Sequence, residues 1–405
     1  MGEGIREKSV VTDDEGLQTK QHLRKGGKNE EGEQNPNDLK AVADHKAERH
    51  ACGFTCWGQM VAMLYCHLAQ ARSLREICNG LAASEGKLKH LGIPNAPCRS
   101  TLAYANEHRP WKLYETIFHQ LLSQCEGAAK GKKKFRFKNK LVSLDSTSID
   151  LCAEVFDWAY YKRTKGAVKL HLVLDNEGYL PCFAVITTGK SHDVTVGRTL
   201  RFERGTVVAM DKGYVDYRWW KQMTENGVYF VTRFKQDLKY EVMAERKPPQ
   251  NSNVRKDVDI RIKPYRGTFE LHLRMVTVWD EEKQEEITFL TNHLKFGATT
   301  VAGIYKERWQ IELFFKSLKQ LLRVKTFVGT SANALKTQLW TALIAMLLLK
   351  YLHLRSTFNW SFSNLVALIR QQLFVYRDLF PWLNDPYQAP PVLAGVHDGQ
   401  LALAF

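Results

Sequence analysis

The sequence predicts an α/β protein in which a mixed sheet carries a β-rich insertion and is flanked by an N-terminal all-α region and C-terminal helices. Three observations support this. Of the 405 residues, 44% are hydrophobic and 25% are charged, as in ordinary globular proteins. Apolar residues recur at helical spacing near both ends of the chain. The middle contains short apolar runs that alternate with helical segments, which is typical of a sheet covered by helices.

The first 42 residues are polar and low in aromatic residues, so we expect a disordered tail over 1–42. The chain carries 58 Lys and Arg against 43 Asp and Glu, a formal net charge of +15 and a pI of about 9.3. Residues 1–50 contribute −2, so the remainder carries +17. The positive charge therefore belongs to the folded part. It indicates a polyanionic partner, with nucleic acid as the first candidate and an anionic membrane surface as the second.

A membrane partner is the weaker interpretation. The longest apolar run, Leu339–Leu349, falls short of the roughly 20 residues that cross a bilayer, and a buried helix explains it better. The N-terminus lacks the apolar core of a signal peptide, and the cysteines show no C-x-x-C pairing. We therefore expect no membrane partner and a cytoplasmic location with reduced thiols.

Residues 43–128 are predicted to form an N-terminal helical region that binds DNA. Apolar residues between Trp57 and Tyr65 follow helical spacing, and Pro110 suits the first turn of a later helix. A helix-turn-helix is one interpretation of this region. A compact helical domain without that motif is the other.

From residue 129 the pattern changes to strands, and we expect the first part of a catalytic domain over 129–232. Three strands are predicted to form a meander, followed by a helix, a strand, a second helix and a strand. The predicted strands cover 141–145, 167–174, 180–187, 206–210 and 228–232. This order of elements favours a ribonuclease-H-like mixed sheet.

Strand-like segments separated by polar turns continue over 233–297, which predicts a β-rich insertion. A long helix over 301–322 follows and belongs to the last part of the catalytic domain, 298–330. A C-terminal helical region, 331–405, is expected to contain two apolar helices over 335–354 and 362–379. The insertion therefore interrupts the α/β domain before its last helix.

The helix after the insertion combines a carboxylate with cations and a phenol. At 3.6 residues per turn, Tyr305, Arg308, Glu312 and Lys319 fall on one narrow stripe. Ile311, Phe314, Leu318 and Leu321 lie on the opposite side, so that side should be buried. A solvated face with an Arg308–Glu312 ion pair is the simpler explanation of the stripe.

Two aspartates favour a functional explanation instead. Asp145 and Asp211 each close an apolar strand, where polar side chains at a sheet edge can converge with Glu312. Clustered carboxylates repel one another, and a divalent cation relieves that repulsion. Their hard oxygen ligands suit Mg²⁺, with Mn²⁺ as a substitute. We expect two ions that promote phosphoryl transfer, while Tyr305, Arg308 and Lys319 contact phosphates.

These residues resemble the signature of a known family. Tyr305, Arg308, Glu312 and Lys319 reproduce the Tyr-x2-Arg-x3-Glu-x6-Lys spacing of DDE transposases of bacterial insertion sequences, of the insertion-sequence family four type. The segments LDST around Asp145 and MDKGY around Asp211 agree with it, and the resemblance covers about residues 45–385. The first 42 residues differ from the usual beginning of the family.

The resemblance implies a ribonuclease-H-like, retroviral-integrase-like catalytic fold, with Asp145, Asp211 and Glu312 as catalytic metal ligands. It also implies Mg²⁺-dependent cut-and-paste transposition, in which a freed 3′-hydroxyl attacks the opposite strand to form a DNA hairpin before strand transfer. The implied partner is double-stranded DNA, both the terminal inverted repeats of the element and the target. Two ends must be brought together, so we expect a homodimer on DNA and association with the nucleoid.

Three further features concern DNA handling. Lys132, Lys133, Lys134 and Arg136 crowd the stretch before the first catalytic strand, and we favour a phosphate track over a solvated charge run. Trp279 in the insertion could stack on an extruded base, although core packing is the simpler explanation. Asp193 offers a fourth carboxylate, which we interpret as the start of a helix.

Three hypotheses follow from the sequence. The first is an Mg²⁺-dependent transposase. The second is a DNA-binding protein of transposase descent without productive catalysis, because its N-terminal end is altered. The third is a general ribonuclease-H-like nuclease, which would not need the four-residue helix signature.

Overall fold

The structure is a computed structural model, and it describes residues 36–387 except for 50, 52, 85, 153–155, 157, 159, 163, 164, 237, 265–268, 323–326 and 376. Most of the expected tail, residues 1–35, lies outside the described residues, as do residues 388–405. The helical part begins earlier than the expected boundary at 43, because Pro36–Asp44 forms a helix. Proline suits the first turn of that helix, since its missing N–H is not needed there.

The helices are numbered in chain order within the described part. The N-terminal region contains α1 (Pro36–Asp44), α2 (Cys56–Leu68), α3 (Leu74–Ala82), α4 (Arg99–His108) and α5 (Lys112–Ala129). The helices between strands are α6 (Asp193–Gly197) and α7 (Tyr217–Glu225), and those after the insertion are α8 (Ala298–Glu307) and α9 (Trp309–Leu322). The last three are α10 (Ala332–Arg355), α11 (Phe362–Gln371) and α12 (Leu379–Asn384).

The strands follow the same numbering. They are β1 (Leu141–Leu151), β2 (Tyr160–Lys162), β3 (Lys165–Asp175), β4 (Leu180–Thr188), β5 (Val207–Met210), β6 (Tyr229–Arg233), β7 (Glu241–Glu245), β8 (Val254–Ile262), β9 (Leu271–Asp280) and β10 (Glu285–Thr291). The sequence did not predict β2 and β7. β7 is an edge strand whose residues are all exposed, so it lacks the apolar alternation that marks a half-buried strand.

All these strands join one sheet of ten strands in the order β2-β3-β1-β5-β6-β10-β9-β8-β7, with β4 paired to β3. β1, β3 and β4 form the predicted antiparallel meander. β5 and β6 run parallel to β1, each reached through a helix. β10 lies next to β6 in the sheet and runs antiparallel to it, and the antiparallel strands of the insertion continue the sheet beyond β10. The predicted α/β class with a mixed sheet is confirmed.

Helices cover both faces of the sheet. On one face, α9 and α10 pack on β1, β3 and β4, and α8 packs on the beginnings of β1 and β5. On the other face, the adjacent residues Trp219 and Trp220 of α7 pack against β1, β5 and β6. Side chains alternate between the two faces of a strand, so Asp145 shares the α8 and α9 face with Leu141.

The C-terminal helix α10 is the centre of the largest core. Trp340 is buried against Trp111 and Phe118 of the N-terminal region, with ring centroids 6.5 and 5.4 Å away. α10 is long and apolar enough to span a membrane, but 78% of its most apolar window is buried inside the protein. Its apolar character therefore matches the predicted role as a buried core helix.

Three elements differ from their predicted extent. β1 continues past Asp145 to Leu151, because its second half pairs with β3 alone. The helix predicted over 301–322 is divided at Arg308 into α8 and α9. The helix predicted over 362–379 ends at Gln371, and α12 begins separately at Leu379.

The insertion contains a buried ion pair. Arg274 on β9 donates two hydrogen bonds to Asp257 on β8, at 2.7 and 2.6 Å, and both side chains are 4% exposed. A guanidinium that also binds the Phe296 carbonyl links these strands to the segment before α8. Asp259, two positions further along β8, pairs with Arg246 at a much more exposed site.

Replacing Asp257 should therefore destabilise the protein. Asp257→Asn leaves the Arg274 charge buried without its carboxylate, and we expect a loss of about 3–5 kcal/mol in the free energy of unfolding. Asp259→Asn is the matched control and should cost about 1 kcal/mol or less, because solvent screens its pair. Urea unfolding followed by tryptophan fluorescence measures both. Equal shifts of the two unfolding midpoints would contradict the importance of the buried pair.

Candidate active site

The register of the parallel strands brings the two aspartates together. Leu144 pairs with Met210 in the last row of contact between β1 and β5. Asp145 and Asp211 are the next residues on their strands, so they leave adjacent strands at the same level, about 4.8 Å apart at the backbone. Both lie at the edge of the sheet where β5 ends and where α8 and α9 cover the sheet.

Arg308 connects the first aspartate to the glutamate. Its Nη1 lies 2.7 Å from Asp145 Oδ2, and its Nη2 lies 2.6 Å from Glu312 Oε1. The side chain of Arg308 is only 11% exposed. One guanidinium therefore holds strand β1 and helix α9 together through two charge-assisted hydrogen bonds.

Tyr305 makes the corresponding contact with the second aspartate. Its hydroxyl donates a long hydrogen bond of 3.4 Å to Asp211 Oδ1. The Arg308 guanidinium lies 5.3 Å from the centre of the Tyr305 ring, within the range of a cation–π contact. The structure thus places Asp145, Asp211, Tyr305, Arg308 and Glu312 in one connected group.

The division of the helix at Arg308 preserves the predicted stripe. Arg308 keeps right-handed helical angles, φ −53° and ψ −28°, so α9 continues the direction of side chains from α8. Ile311, Phe314 and Leu318 are buried as predicted. The side chain of Leu321 lies outside the described residues.

The surroundings of Asp145 make its charged form less favourable than that of a free aspartate. Burial raises the pKa of the Asp145 carboxyl, Arg308 and the Ser146 N–H lower it, and the nearby Asp211 and Glu312 carboxylates raise it again. The resulting pKa is about 6. Burial opposes the charge of Arg308, but its acidic neighbours outweigh that effect, so the pKa of Arg308 is raised.

A groove opens beside these residues. Its volume is about 580 Å³, and its walls come from β1 on one side and α9 on the other. Asp145 and Glu312 lie on its opposite walls, and Lys319 lies further along the α9 wall. The fourth residue of the predicted stripe therefore shares the groove with the carboxylates.

The carboxylates suit a divalent cation by their chemistry. Asp145 and Glu312 offer hard oxygen donors to one groove, and Asp211 leaves the neighbouring strand. Within the described ranges, however, no three His, Cys, Asp or Glu side chains are close enough together to hold a metal ion. Arg308 occupies the position between two of the carboxylates, so cation binding requires its guanidinium to move.

Comparison with known proteins identifies the family. A family model described as the transposase DDE domain matches residues 136–348, more than half of the chain. The chain belongs to the DDE transposase family. A second model, a domain of unknown function (DUF4372), matches residues 39–94, which include most of α1 and all of α2 and α3. Members of the DDE transposase family generally use divalent metal ions, which agrees with the donor set described above.

Individual relatives agree with this assignment. A Sinorhizobium fredii protein described as a transposase, y4zB, is 32% identical over 327 residues, which cover 78% of this chain and 90% of the relative. A Geobacillus stearothermophilus protein described as the transposase for insertion sequence element IS5377 is 30% identical over 258 residues, 63% of this chain and 67% of the relative. The predicted resemblance to transposases of bacterial insertion sequences is confirmed.

A solved structure of the piggyBac transposase synaptic complex with hairpin DNA is also similar. It is 10% identical, covers 88% of this chain and 78% of its own, and has a TM-score of 0.43. At this score we draw no conclusion from the similarity about the fold of the present chain.

The predicted basic track does not reach the groove. Lys134 binds the buried Glu307, Lys132 donates to the Leu354 carbonyl at 2.8 Å, and Lys133 lies 3.8 Å from Glu177. The stretch leads into Leu141, whose partner Val207 begins β5, so it lies at the edge of the sheet opposite Asp145. These three lysines contact other parts of the fold, although like Arg136 they are exposed. The track was expected near the active site because it directly precedes β1. The track enters β1 at Leu141, however, and Asp145 lies further along the strand, at the other end of the contact with β5.

Trp279 lies beyond the edge of the sheet at which Asp211 emerges. It belongs to β9, three strands across from β5 or about 14 Å, and four residues past Met275, which aligns with Met210. Its ring is half-buried, with the Arg255 guanidinium 6.0 Å from its centre. Trp279 belongs to no hydrophobic cluster of the described residues, so the simpler explanation, that it packs in the core, does not fit its position.

The structure adds residues that the sequence analysis did not single out. Ser146 and Thr147 of β1 and Phe315, Lys316 and Gln320 of α9 also line the groove. Lys316 and Gln320 follow Glu312 at intervals of four, so helical periodicity could have revealed them. Trp309 is 54% exposed at the start of α9, and at 3.6 residues per turn it lies near the polar stripe rather than with Ile311 and Phe314, so the same periodicity could have revealed it.

The raised pKa of Asp145 predicts a pH-dependent stability. A carboxyl whose pKa is higher in the folded state holds its proton more tightly there, so stability falls as the pH rises from about 4 to about 6. Asp145→Asn removes this loss. We expect the stability of the variant, relative to the wild type, to increase by about 2–3 kcal/mol between pH 4 and pH 7.

Urea unfolding of both proteins at the two pH values measures this difference. Asp150→Asn provides the control, because Asp150 is an exposed carboxylate on the same strand. The control should follow the wild type at both pH values. A variant of Asp145 that also follows the wild type would show that Asp145 carries no raised pKa.

Proposed function

We propose that this transposase cuts and rejoins DNA strands by phosphoryl transfer, with Asp145, Asp211 and Glu312 as the ligands of divalent cations. The observation that carries the proposal is the pair of hydrogen bonds from Arg308 to Asp145 and Glu312 inside an open groove. Arg308 lies 163 positions after Asp145 in the sequence, and both side chains are largely buried, so this is not an ordinary surface ion pair. This arrangement keeps opposed carboxylates close together although they repel one another.

Mg²⁺ is the cation that the donor set favours, and Mn²⁺ should replace it. Carboxylate oxygens at an open groove leave room for the water and phosphate ligands that Mg²⁺ retains. Two bound ions would activate the attacking water or 3′-hydroxyl and stabilise the leaving oxygen. Asp145, Asp211 and Glu312 would each supply oxygen ligands.

The other residues of the group would bind the DNA backbone. Arg308 would be free to leave Asp145 and Glu312 if a bound cation neutralised these carboxylates, and its guanidinium could then bind a phosphate through two hydrogen bonds. Lys319 and the neighbouring Lys316 provide positive charge along the α9 wall. Tyr305 can donate its hydroxyl to a phosphate oxygen instead of Asp211.

We propose that the catalytic part has a ribonuclease-H-like fold. An antiparallel meander of β4, β3 and β1, continued by the parallel strands β5 and β6, supports this assignment. The β-rich insertion enters after β6, and α8 and α9 then return to the sheet. The order of elements in the sequence predicted the same position, after the insertion, for the helix that carries Glu312.

The reaction that we propose is cut-and-paste transposition. A first cut frees a 3′-hydroxyl, which attacks the opposite strand to form a hairpin, and strand transfer follows the reopening of the hairpin. Trp279 and Trp309 are partly exposed aromatic residues on the insertion and on α9, and either can stack on an unpaired base. Their exposure supports a step in which a base leaves the duplex.

The partner is double-stranded DNA, both the terminal repeats of the element and the target. The N-terminal helical region is proposed to recognise the repeats, and its α4 exposes Arg99 and Tyr104. Joining two ends requires two active sites, so we propose a homodimer on DNA. The protein would act in the cytoplasm, at the nucleoid.

Cleavage of DNA that carries the ends of the element tests the proposal. With Mg²⁺, the full-length protein should release 3′-hydroxyls at the ends, and without a divalent cation it should not. Asp145→Asn should reduce cleavage by at least about 100-fold and leave DNA binding intact. The control Asp150→Asn, which changes an exposed carboxylate of the same strand, should cleave normally. A wild type that binds the ends but does not cleave them with any divalent ion would instead support a catalytically unproductive DNA-binding protein.

Lys319 should affect catalysis more than binding. Lys319→Ala removes one cation from the groove wall, and we expect about 10–100-fold slower strand processing with less than about threefold weaker DNA binding. Lys306→Ala is the control, because Lys306 is 84% exposed on α8. Gel-shift and single-turnover cleavage assays separate the two effects. Equal losses of binding and processing would show that Lys319 only attracts DNA.

A further inference from the structure

The Asp193 carboxylate lies beside the proposed active site without belonging to the predicted signature. It is the first residue of the short helix α6, as expected for a helix-starting aspartate. Its Oδ1 nevertheless accepts a hydrogen bond from Ser146 Oγ at 2.7 Å and lies 3.0 Å from Lys169 Nζ. A residue that only started a helix would not need two partners on other elements.

The contact with Ser146 connects Asp193 to Asp145. The backbone N–H of Ser146 donates to Asp145 Oδ1 at 2.8 Å, while the side chain of the same residue donates to Asp193. Ser146 is therefore held from both sides. A shift of its backbone would change the orientation of the Asp145 carboxylate.

The second oxygen of Asp193 faces the turn that follows Asp211. A Cβ atom placed on Gly213 would lie 3.5 Å from Asp193 Oδ2 and 3.9 Å from Asp211 Oδ2. The two carboxylates thus flank the same backbone position, in the short helix Lys212–Tyr214 that follows Asp211. Asp193 therefore contacts Ser146 next to Asp145 and lies beside the turn that follows Asp211.

Lys169 fixes Asp193 in this place. It lies on β3, with its side chain 18% exposed, and it also donates to the Ser191 carbonyl at 3.2 Å. The buried His171 is 3.6 Å from the same Asp193 oxygen, but burial lowers its pKa to about 4. Lys169 and not His171 therefore supplies the positive charge that balances Asp193.

We propose that Asp193 is a positioning residue of the active site. Through Ser146 it sets the orientation of Asp145, and through the Gly213 turn it limits the distance to Asp211, so that both carboxylates can share a divalent cation. This inference rests on the proposed function. Residues that hold metal ligands in place typically change metal affinity by about 10–100-fold when they are replaced.

Binding of Mn²⁺ to the full-length protein without DNA, measured by electron paramagnetic resonance, tests the proposal. Asp193→Ala and Ser146→Ala should each weaken Mn²⁺ binding by about tenfold. The double variant should also lose about tenfold, because both changes remove the same hydrogen bond between Asp193 and Ser146. Asp216→Ala is the control. Asp216 begins α7 and pairs with Arg198, so its loss affects local stability only.

The outcomes separate this inference from the proposed function. Unchanged Mn²⁺ affinity in Asp193→Ala, or a double variant that loses about 100-fold, would overturn the positioning role. Asp145→Asn must itself abolish tight Mn²⁺ binding, and if it does not, the proposed metal site fails. Thermal unfolding of each variant shows whether it is folded. If Asp193→Ala does not fold, normal Mn²⁺ affinity of the Ser146→Ala variant would overturn the proposal on its own.

Discussion

The double hydrogen bond of Arg308 is the interaction on which the proposed active site depends. Asp145 comes from a central strand and Glu312 from a helix that follows a long insertion, and no other contact of the described residues links their carboxylates directly. A guanidinium is suited to this task, because its planar group can donate to two carboxylates at once. Burial to 11% exposure makes the interaction stronger than a surface pair, and it also makes an unpaired carboxylate costly. The position of α9 on the sheet is thus set by charge as well as by its apolar face.

The sheet contributes the second constraint, which is the length of β5. This strand contains only four residues, and its parallel pairing with β1 ends at Leu144 and Met210. β1 continues beyond this point against β3, so Asp145 remains on a rigid strand although its neighbour has turned away. Asp211 begins a short turn instead. One aspartate is therefore held by the sheet and the other by a turn.

Much of the fold and of the site could be predicted from the sequence, because both follow from short-range periodicity. The spacing of Tyr305, Arg308 and Glu312 specifies one helix face, and apolar runs ending in aspartate specify strand ends. Direction and distance across the sheet were not accessible in the same way. The lysines before β1 were expected near the active site, but they enter at the opposite edge, and Glu307 binds one of them. The division of the helix at Arg308 leaves no trace in the apolar pattern, since the apolar face of α9 continues in phase.

The charge of the groove explains why DNA and a cation would bind together. Asp145 and Glu312 share one guanidinium, so Arg308 alone cannot balance both carboxylates, and burial together with the nearby Asp211 and Glu312 raises the pKa of Asp145. In the proposed function, a divalent cation would supply the missing positive charge. A phosphate would compete with Asp145 and Glu312 for Arg308, and binding of Arg308 to the phosphate would leave both carboxylates free for the cation. Each ligand would thereby favour the other, and by linkage the effect would be equal in both directions. One side chain that changes partners would then couple DNA binding to metal binding.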